Sequence, residues 1–134
     1  MPLHVIIDTN FLTVPVQFGV DVFAEAERVL ERNLEFILLD SIIEEIKSKI
    51  QRANRTEARM FRVALDLANQ CSIVSVDASM KVNPVDDQLV EFTKSVRGVL
   101  ATNDKELREK AIAQGVPVLR LRGKKYLELD GSVI

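Results

Sequence analysis

Val5-Ile6-Ile7-Asp8-Thr9-Asn10-Phe11 is the stretch from which the fold is read. A short apolar run that stops at an acid followed by two small polar residues predicts a buried strand with Asp8 at its carboxyl end. In open α/β sheets that end is where ligands sit. Three more acids stand where a helix is expected to begin: Glu45 behind Phe36-Ile37-Leu38-Leu39, Asp86 after Asn83-Pro84, and Asp104 behind Val99-Leu100-Ala101. The pattern predicts that these four carboxylates meet.

Outward from this strand, residues 13–19 are an apolar, irregular connection punctuated by Pro15 and Gly19. Asp21 is a good N-cap for an amphipathic helix carried by Val22, Phe23, Ala26, Val29 and Leu30 and ending near Asn33. Residues 34–39 read as a second buried strand, and Ser41-Ile42-Ile43-Glu44 matches a capping box opening the next helix. On a helical wheel Ile42, Ile43, Ile46 and Ile50 face the core, Glu44 points nearly opposite, and Glu45 lies at the border. Glu44 is thus explained as a cap, and Glu45 is not.

The polar segment 51–56 breaks this helix, and Asn54 or Thr56 caps a further one through Met60, Phe61, Ala64, Leu65 and Ala68. Residues 71–76 look like a third strand and 77–82 like a loop. Asn83 and Pro84 announce a helix whose inner face is set by Val85, Leu89, Val90, Phe92 and Val96. Asp86 falls within that inner arc and Asp87 outside it. A strand at 99–101 ends at Thr102-Asn103-Asp104, a helix marked by Leu107, Ala111 and Ile112 closes at Gly115, and 117–121 is a last strand. The tail beyond it suits a small hairpin or an edge strand. Strands alternating with helices imply an α/β fold with a mostly parallel sheet covered on both faces.

A length of 134 residues fits one domain, 1–134, with a core that needs no staples. Hydrophobic residues at 47% and charged residues at 28% suit a soluble globular protein and argue against disorder. The lone Cys71 has no partner for a bridge, and no cysteine-histidine set exists for zinc. With no leader-like N-terminus and no apolar run near the ~20 residues that span a bilayer, a cytoplasmic protein without membrane contact is expected. A formal net charge of −2 does not favour nucleic acid, so such a role must come from local patches.

Taken singly, the acids are explained as caps or dipole partners, each stabilising a helix by up to about 1 kcal/mol. Asp8 is different, since it follows a strand and precedes no evident helix. Crowded together, the four would raise one another's pKa unless a cation neutralises them. Oxygen-only ligands select Mg²⁺ or Mn²⁺ over zinc.

The chain resembles the PIN-domain nucleases. The likeness lies in Ile7-Asp8-Thr9-Asn10, in Ser41-Ile42-Ile43-Glu44-Glu45-Ile46, in Asp86-Asp87-Gln88-Leu89, in Ala101-Thr102-Asn103-Asp104-Lys105-Glu106-Leu107, and in the closing Gly115-Val116-Pro117-Val118. It covers nearly the whole chain, and it looks closest to small stand-alone archaeal members and the ribosomal-RNA-processing branch, with VapC-type toxins more distant. The resemblance implies a three-layer α/β/α sandwich around a mostly parallel sheet of about five strands. It also implies an endoribonuclease in which Asp8, Glu45, Asp86 and Asp104 hold Mg²⁺ or Mn²⁺ and a metal-activated water attacks phosphorus. Within the family the glutamate before the aliphatic residue is the usual functional one, which again selects Glu45. Thr9, Asn10, Asp87, Thr102 and Asn103 become the polar neighbours that orient the acids or touch phosphate. An antitoxin or a ribosome-assembly partner belongs to the same implication.

RNA would be drawn by Lys49, Arg52, Arg55, Arg59 and Arg62, three or four residues apart and so on one face if the helix continues. Arg120, Arg122, Lys124 and Lys125, with Tyr126 for stacking, form a second basic patch. The apolar segment 14–18 suggests a homodimer. His4 alone cannot supply the acid and base of a 2′-hydroxyl mechanism. Two other classes stay open. One is a PIN-fold RNA-binding or scaffold protein that does not cut. The other is a phosphotransfer or phosphatase domain, against which Asn10 stands where a phosphatase needs a second acid.

Overall fold

The computed structural model describes residues 1–133. In chain order the elements are β1 (Leu3–Ile7), α1 (Thr9–Leu12), α2 (Val14–Phe18), α3 (Val22–Leu30), β2 (Leu34–Leu39), α4 (Asp40–Arg52) and α5 (Arg55–Leu67). There follow a 3₁₀ turn at Ala68–Gln70, then β3 (Ser72–Val74), α6 (Ala78–Lys81), α7 (Val85–Ser95), β4 (Val99–Ala101), α8 (Lys105–Ala113), β5 (Val118–Arg122) and β6 (Tyr126–Asp130). One sheet runs β3-β2-β1-β4-β5-β6, with the first five strands parallel and β6 antiparallel to β5. Six strands stand where about five were expected, because Gly123 and Lys124 take left-handed conformations (φ +60° and +58°) and turn the tail back as a hairpin.

The apolar run that opens the chain lies in the middle of this sheet, where parallel strands are covered on both faces. Val5, Ile6 and Ile7 are all fully buried, each worth about 1.5–3 kcal/mol as an upper figure. Right-handed crossovers put α3, α4 and α5 on one face and α7 and α8 on the other; α4 packs on α5 and α7 on α8 accordingly. The strand order reverses direction between β1 and β4, whose ends are in register at Ile7 and Ala101. The amide of Asp8 donates to the carbonyl of Ala101 at 3.0 Å, so the residues leaving these two strands emerge side by side. A sheet of this type opens a crevice at that switch point.

Several local expectations are corrected. Asp8 does precede a helix: its Oδ1 accepts the amide of Thr9 at 2.8 Å and caps the four-residue α1. Residues 14–18 form α2, which ends at Gly19 in the left-handed conformation (φ +67°), so the segment is not irregular. Helix α3 closes at Glu31, short of Asn33. The capping box at Ser41 does not form, because α4 begins at Asp40 and Ser41 lies inside its first turn. Ser41 instead donates to Gln88 Oε1 at 2.5 Å, and Asp40 accepts the amide of Val76 at 3.1 Å. Tertiary bonds outcompete the local one. Strand β3 is shorter than 71–76, and Asp77 caps α6 within the stretch expected to be loop.

Gly98 enters β4 beneath β1, where a Cβ would lie 2.5 Å from the carbonyl oxygen of His4. That carbonyl belongs to the central strand and cannot move independently of it. Gly98→Ala is expected to destabilise the protein by about 1–3 kcal/mol, the usual cost of overpacking. A urea-unfolding midpoint equal to that of the wild type would contradict this contact.

Candidate active site

Four chain segments bring the acids to one place. Asp8 follows β1, Glu45 sits one turn into α4, Asp86 is in the first turn of α7, and Asp104 follows β4. All four line a cavity of about 340 Å³ together with Thr9, Asn10, Thr13, Gln17, Lys49, Met60 and Phe61. The cavity lies at the carboxyl end of the sheet, over the β1–β4 switch.

Hydrogen bonds fix two of the four. Asp8 is buried (8% exposed); its Oδ2 accepts from the hydroxyl of Thr102 at 2.8 Å, and that hydroxyl oxygen accepts the amide of Asp104 at 3.1 Å. Asp104 is exposed and uses Oδ1 to cap α8 through the amides of Glu106 and Leu107, which leaves Oδ2 free of these bonds. Asn10 accepts the amide of Asn103 at 3.2 Å, and the Asn103 side chain accepts the amide of Leu121 at 2.8 Å. The loop after β4 is thereby tied to α1 on one side and to β5 on the other. Among the described residues, neither the Glu45 nor the Asp86 carboxylate has a hydrogen-bond or ion-pair partner.

The electrostatics follow. Burial pushes Asp8 up to about 6, with the bonds from Thr102 and Thr9 pulling the other way and the charges of Glu45 and Asp86 adding to the rise. Burial also raises Asp86, helped by Asp104, Glu45 and Asp87 and opposed by Lys110. Asp87 points away and pairs with Lys110 at 3.1 Å. Against the four carboxylates the cavity wall sets the one ammonium of Lys49.

The donor set suits a hard divalent cation: carboxylate oxygens, no sulfur, no imidazole. Two of its carboxylates lack protein partners, and Thr9, a buried residue of the cavity lining, has a hydroxyl that is a buried polar atom without a hydrogen-bond partner. Such an orphan calls for a water or ligand atom. The acids share the cavity without being drawn into a closed ligand set: among the described residues no three acid, histidine or cysteine groups stand close enough to hold one ion.

The basic residues divide. Asn54 caps α5 by accepting the amide of Glu57, so the helix does not continue through it and the stripe is broken. Lys49 reaches the cavity; Arg52, Arg55, Arg59 and Arg62 are exposed and do not line it. In the second patch Arg120 is held by Asp130 at 2.6 Å and Arg122 by Glu128 at 3.5 Å. Thr13, Gln17, Met60 and Phe61 were not singled out from the sequence. Periodicity assigns Met60 and Phe61 to an inner face and cannot tell core from cavity wall.

An α/β sheet of this order with acids gathered at its switch point defines a class, and the sequence places the chain within it. The PIN like domain family matches residues 5–124. The chain belongs to the PIN-domain family. It is 33% identical over 127 residues to Ribonuclease VapC4 of Methanocaldococcus jannaschii, covering 94% of this chain and 95% of that one. The PIN domain endonuclease Utp24 superposes with a TM-score of 0.76 at 25% identity, covering 98% of this chain and 94% of that chain. VapBC2 from Rickettsia felis, solved bound to a DNA fragment from its promoter, shares the fold at a TM-score of 0.57 and 12% identity, over 90% of this chain and 100% of that chain. Among the described residues no helix is long and apolar enough to cross a membrane.

Proposed function

We propose that this protein is a Mg²⁺- or Mn²⁺-dependent endoribonuclease that hydrolyses RNA phosphodiester bonds, with a role in RNA processing or turnover. The observation that carries the proposal is that Asp8, Glu45, Asp86 and Asp104 all line one cavity, with Asp8 pushed up to about 6. Relatives named as a ribonuclease and as a PIN domain endonuclease support the choice of reaction. The four acids would hold the ion by closing on it, since among the described residues of the metal-free chain no three stand close enough to do so. Bound there, it supplies activation of water and neutralisation of charge on the phosphate.

The remaining steps belong to the chain's own groups. Thr102 holds Asp8 by one oxygen and ties it to the amide of Asp104, fixing the spacing of two acids from different strands. Thr9 offers its unpartnered hydroxyl, and Lys49 offers a charge for the entering phosphate. Asn10 and Asn103 keep the β4–α8 loop from drifting. An antitoxin, a ribosome-assembly factor or a second copy of the chain belongs to the same proposal as a partner. The part-exposed Val16 and Phe18 of α2 are apolar groups that such a partner would cover.

The test is RNA binding and cleavage with and without Mn²⁺. At an effective dielectric of about 20 a like-charge contact at about 4 Å costs about 4 kcal/mol, so the bare acids repel phosphate strongly. Added Mn²⁺ should raise affinity for a cleavage-resistant phosphorothioate RNA by about tenfold or more, and monovalent salt should weaken what remains. Affinity in EDTA equal to that in Mn²⁺, with no cleavage in either, would remove the proposal.

A further inference from the structure

The same cavity that the acids line also has apolar lining, Phe61 and Met60 of α5, together with Gln17 of α2. Helix α2 packs against α5, which brings the elements that carry these side chains together at the cavity. Phe61 is half-buried, and the ammonium of Lys49 lies 5.9 Å from its ring centroid. The carboxamide of Gln17 is engaged by one long contact of 3.5 Å from the hydroxyl of Thr13, which leaves its amide donor uncommitted. Hydrolysis of phosphate alone has no use for an aromatic ring and a free amide at this place.

Resting on the nuclease reading, we propose that Phe61 is the stacking platform of a nucleobase subsite, with Gln17 reading the base edge, so that the substrate presents an unpaired nucleotide beside the scissile phosphate. A base can reach a recessed ring only when it is out of a duplex. A cation–π contact at a solvent-reached site is weaker than a base–aromatic stack. An arriving base therefore displaces Lys49 from the ring, and the freed ammonium remains within the same cavity, where the phosphate of that nucleotide must lie. In the absence of RNA, Lys49 covers the ring. One residue thus serves both states.

The chain contains no tryptophan, so Phe61→Trp places a single indole reporter at the subsite. Single-stranded oligoribonucleotide is expected to quench its emission, and an abasic oligoribonucleotide of equal length to quench it far less. Phe61→Leu should bind phosphorothioate RNA about five- to 150-fold more weakly, the range spanned by removal of a stacking aromatic, while Phe61→Tyr stays near the wild type and controls for folding. Gln17→Ala should narrow the differences in affinity among homopolymeric RNAs. Equal binding by the Leu and Tyr variants, or quenching indifferent to the bases, overturns the subsite even when cleavage persists. Base-dependent quenching without cleavage supports the subsite and removes the nuclease reading instead. No RNA binding of any kind overturns both.

Discussion

In metal-free buffer at about pH 7.5, Asp8→Asn is expected to unfold at a higher urea concentration than the wild type, although it loses RNA cleavage by about a hundredfold or more. The sign comes from the raised pKa. Asp8 titrates near its usual 3.8 when unfolded and at about 6 when folded. Below the lower value the carboxyl is neutral in both states and costs nothing. Between the two the native state loses stability as pH rises, and above the upper value the loss is complete, at about 3 kcal/mol for a shift of this size. Asparagine escapes that loss. It keeps the bond from the amide of Thr9, but its nitrogen cannot accept from Thr102, which costs about 1 kcal/mol. The net gain is therefore about 2 kcal/mol, present at neutral pH and absent near pH 4.

Divalent ions should reverse the order, since an ion bound only by the native wild type stabilises it by mass action. Urea melts across pH, with EDTA and with Mn²⁺, separate the two contributions. A difference between the variants that does not change with pH would show that burial does not raise Asp8. Retained cleavage in Asp8→Asn would end the assignment of this residue to the reaction.

Asp8 also shows how much was legible in the sequence. An apolar run ending in an acid places a buried strand and its carboxyl end, because burial shows in patterns several residues long; the strand order β3-β2-β1-β4-β5-β6 shows in no such pattern. Helices α1 and α6, each four residues long, carry no such pattern, and only their caps, Asp8 and Asp77, announce them. Ser41 matches a cap by type and spacing, yet it bonds to Gln88, which is distant in the chain. No reading of local sequence contains that partner. The wheel nonetheless separated Asp86, on the cavity, from Asp87, on Lys110, because a hundred degrees of rotation does not depend on the tertiary partner. Phe61 was hidden by the same rule, since the inner face of α5 serves the core along most of its length and the cavity at one point.

The adjacent pair on α4 makes the sharpest comparison. Glu45→Gln is expected to reduce cleavage by about a hundredfold, and Glu44→Gln by no more than about twofold, because loss of a group that supports a metal ligand already costs about 10- to 100-fold. Glu45 lines the acid-walled cavity with no partner among the described residues, so its charge is available to a cation. Glu44 lies on the exposed side of the helix, where it accepts from Lys81 at 3.2 Å, and Lys81 also holds Asp40 at 3.0 Å. An exposed pair of this kind is worth about 0–1 kcal/mol, and Asp40 keeps Lys81 in place when Glu44 is lost. The two variants carry the same Glu→Gln change at neighbouring positions of one helix, so net charge and helix propensity are matched. Steady-state cleavage of single-stranded RNA in Mn²⁺ decides between them. Equal losses would mean that the face α4 turns to the cavity is not the face that acts, and a larger loss at Glu44 would move the ion to the Lys81 side of the helix.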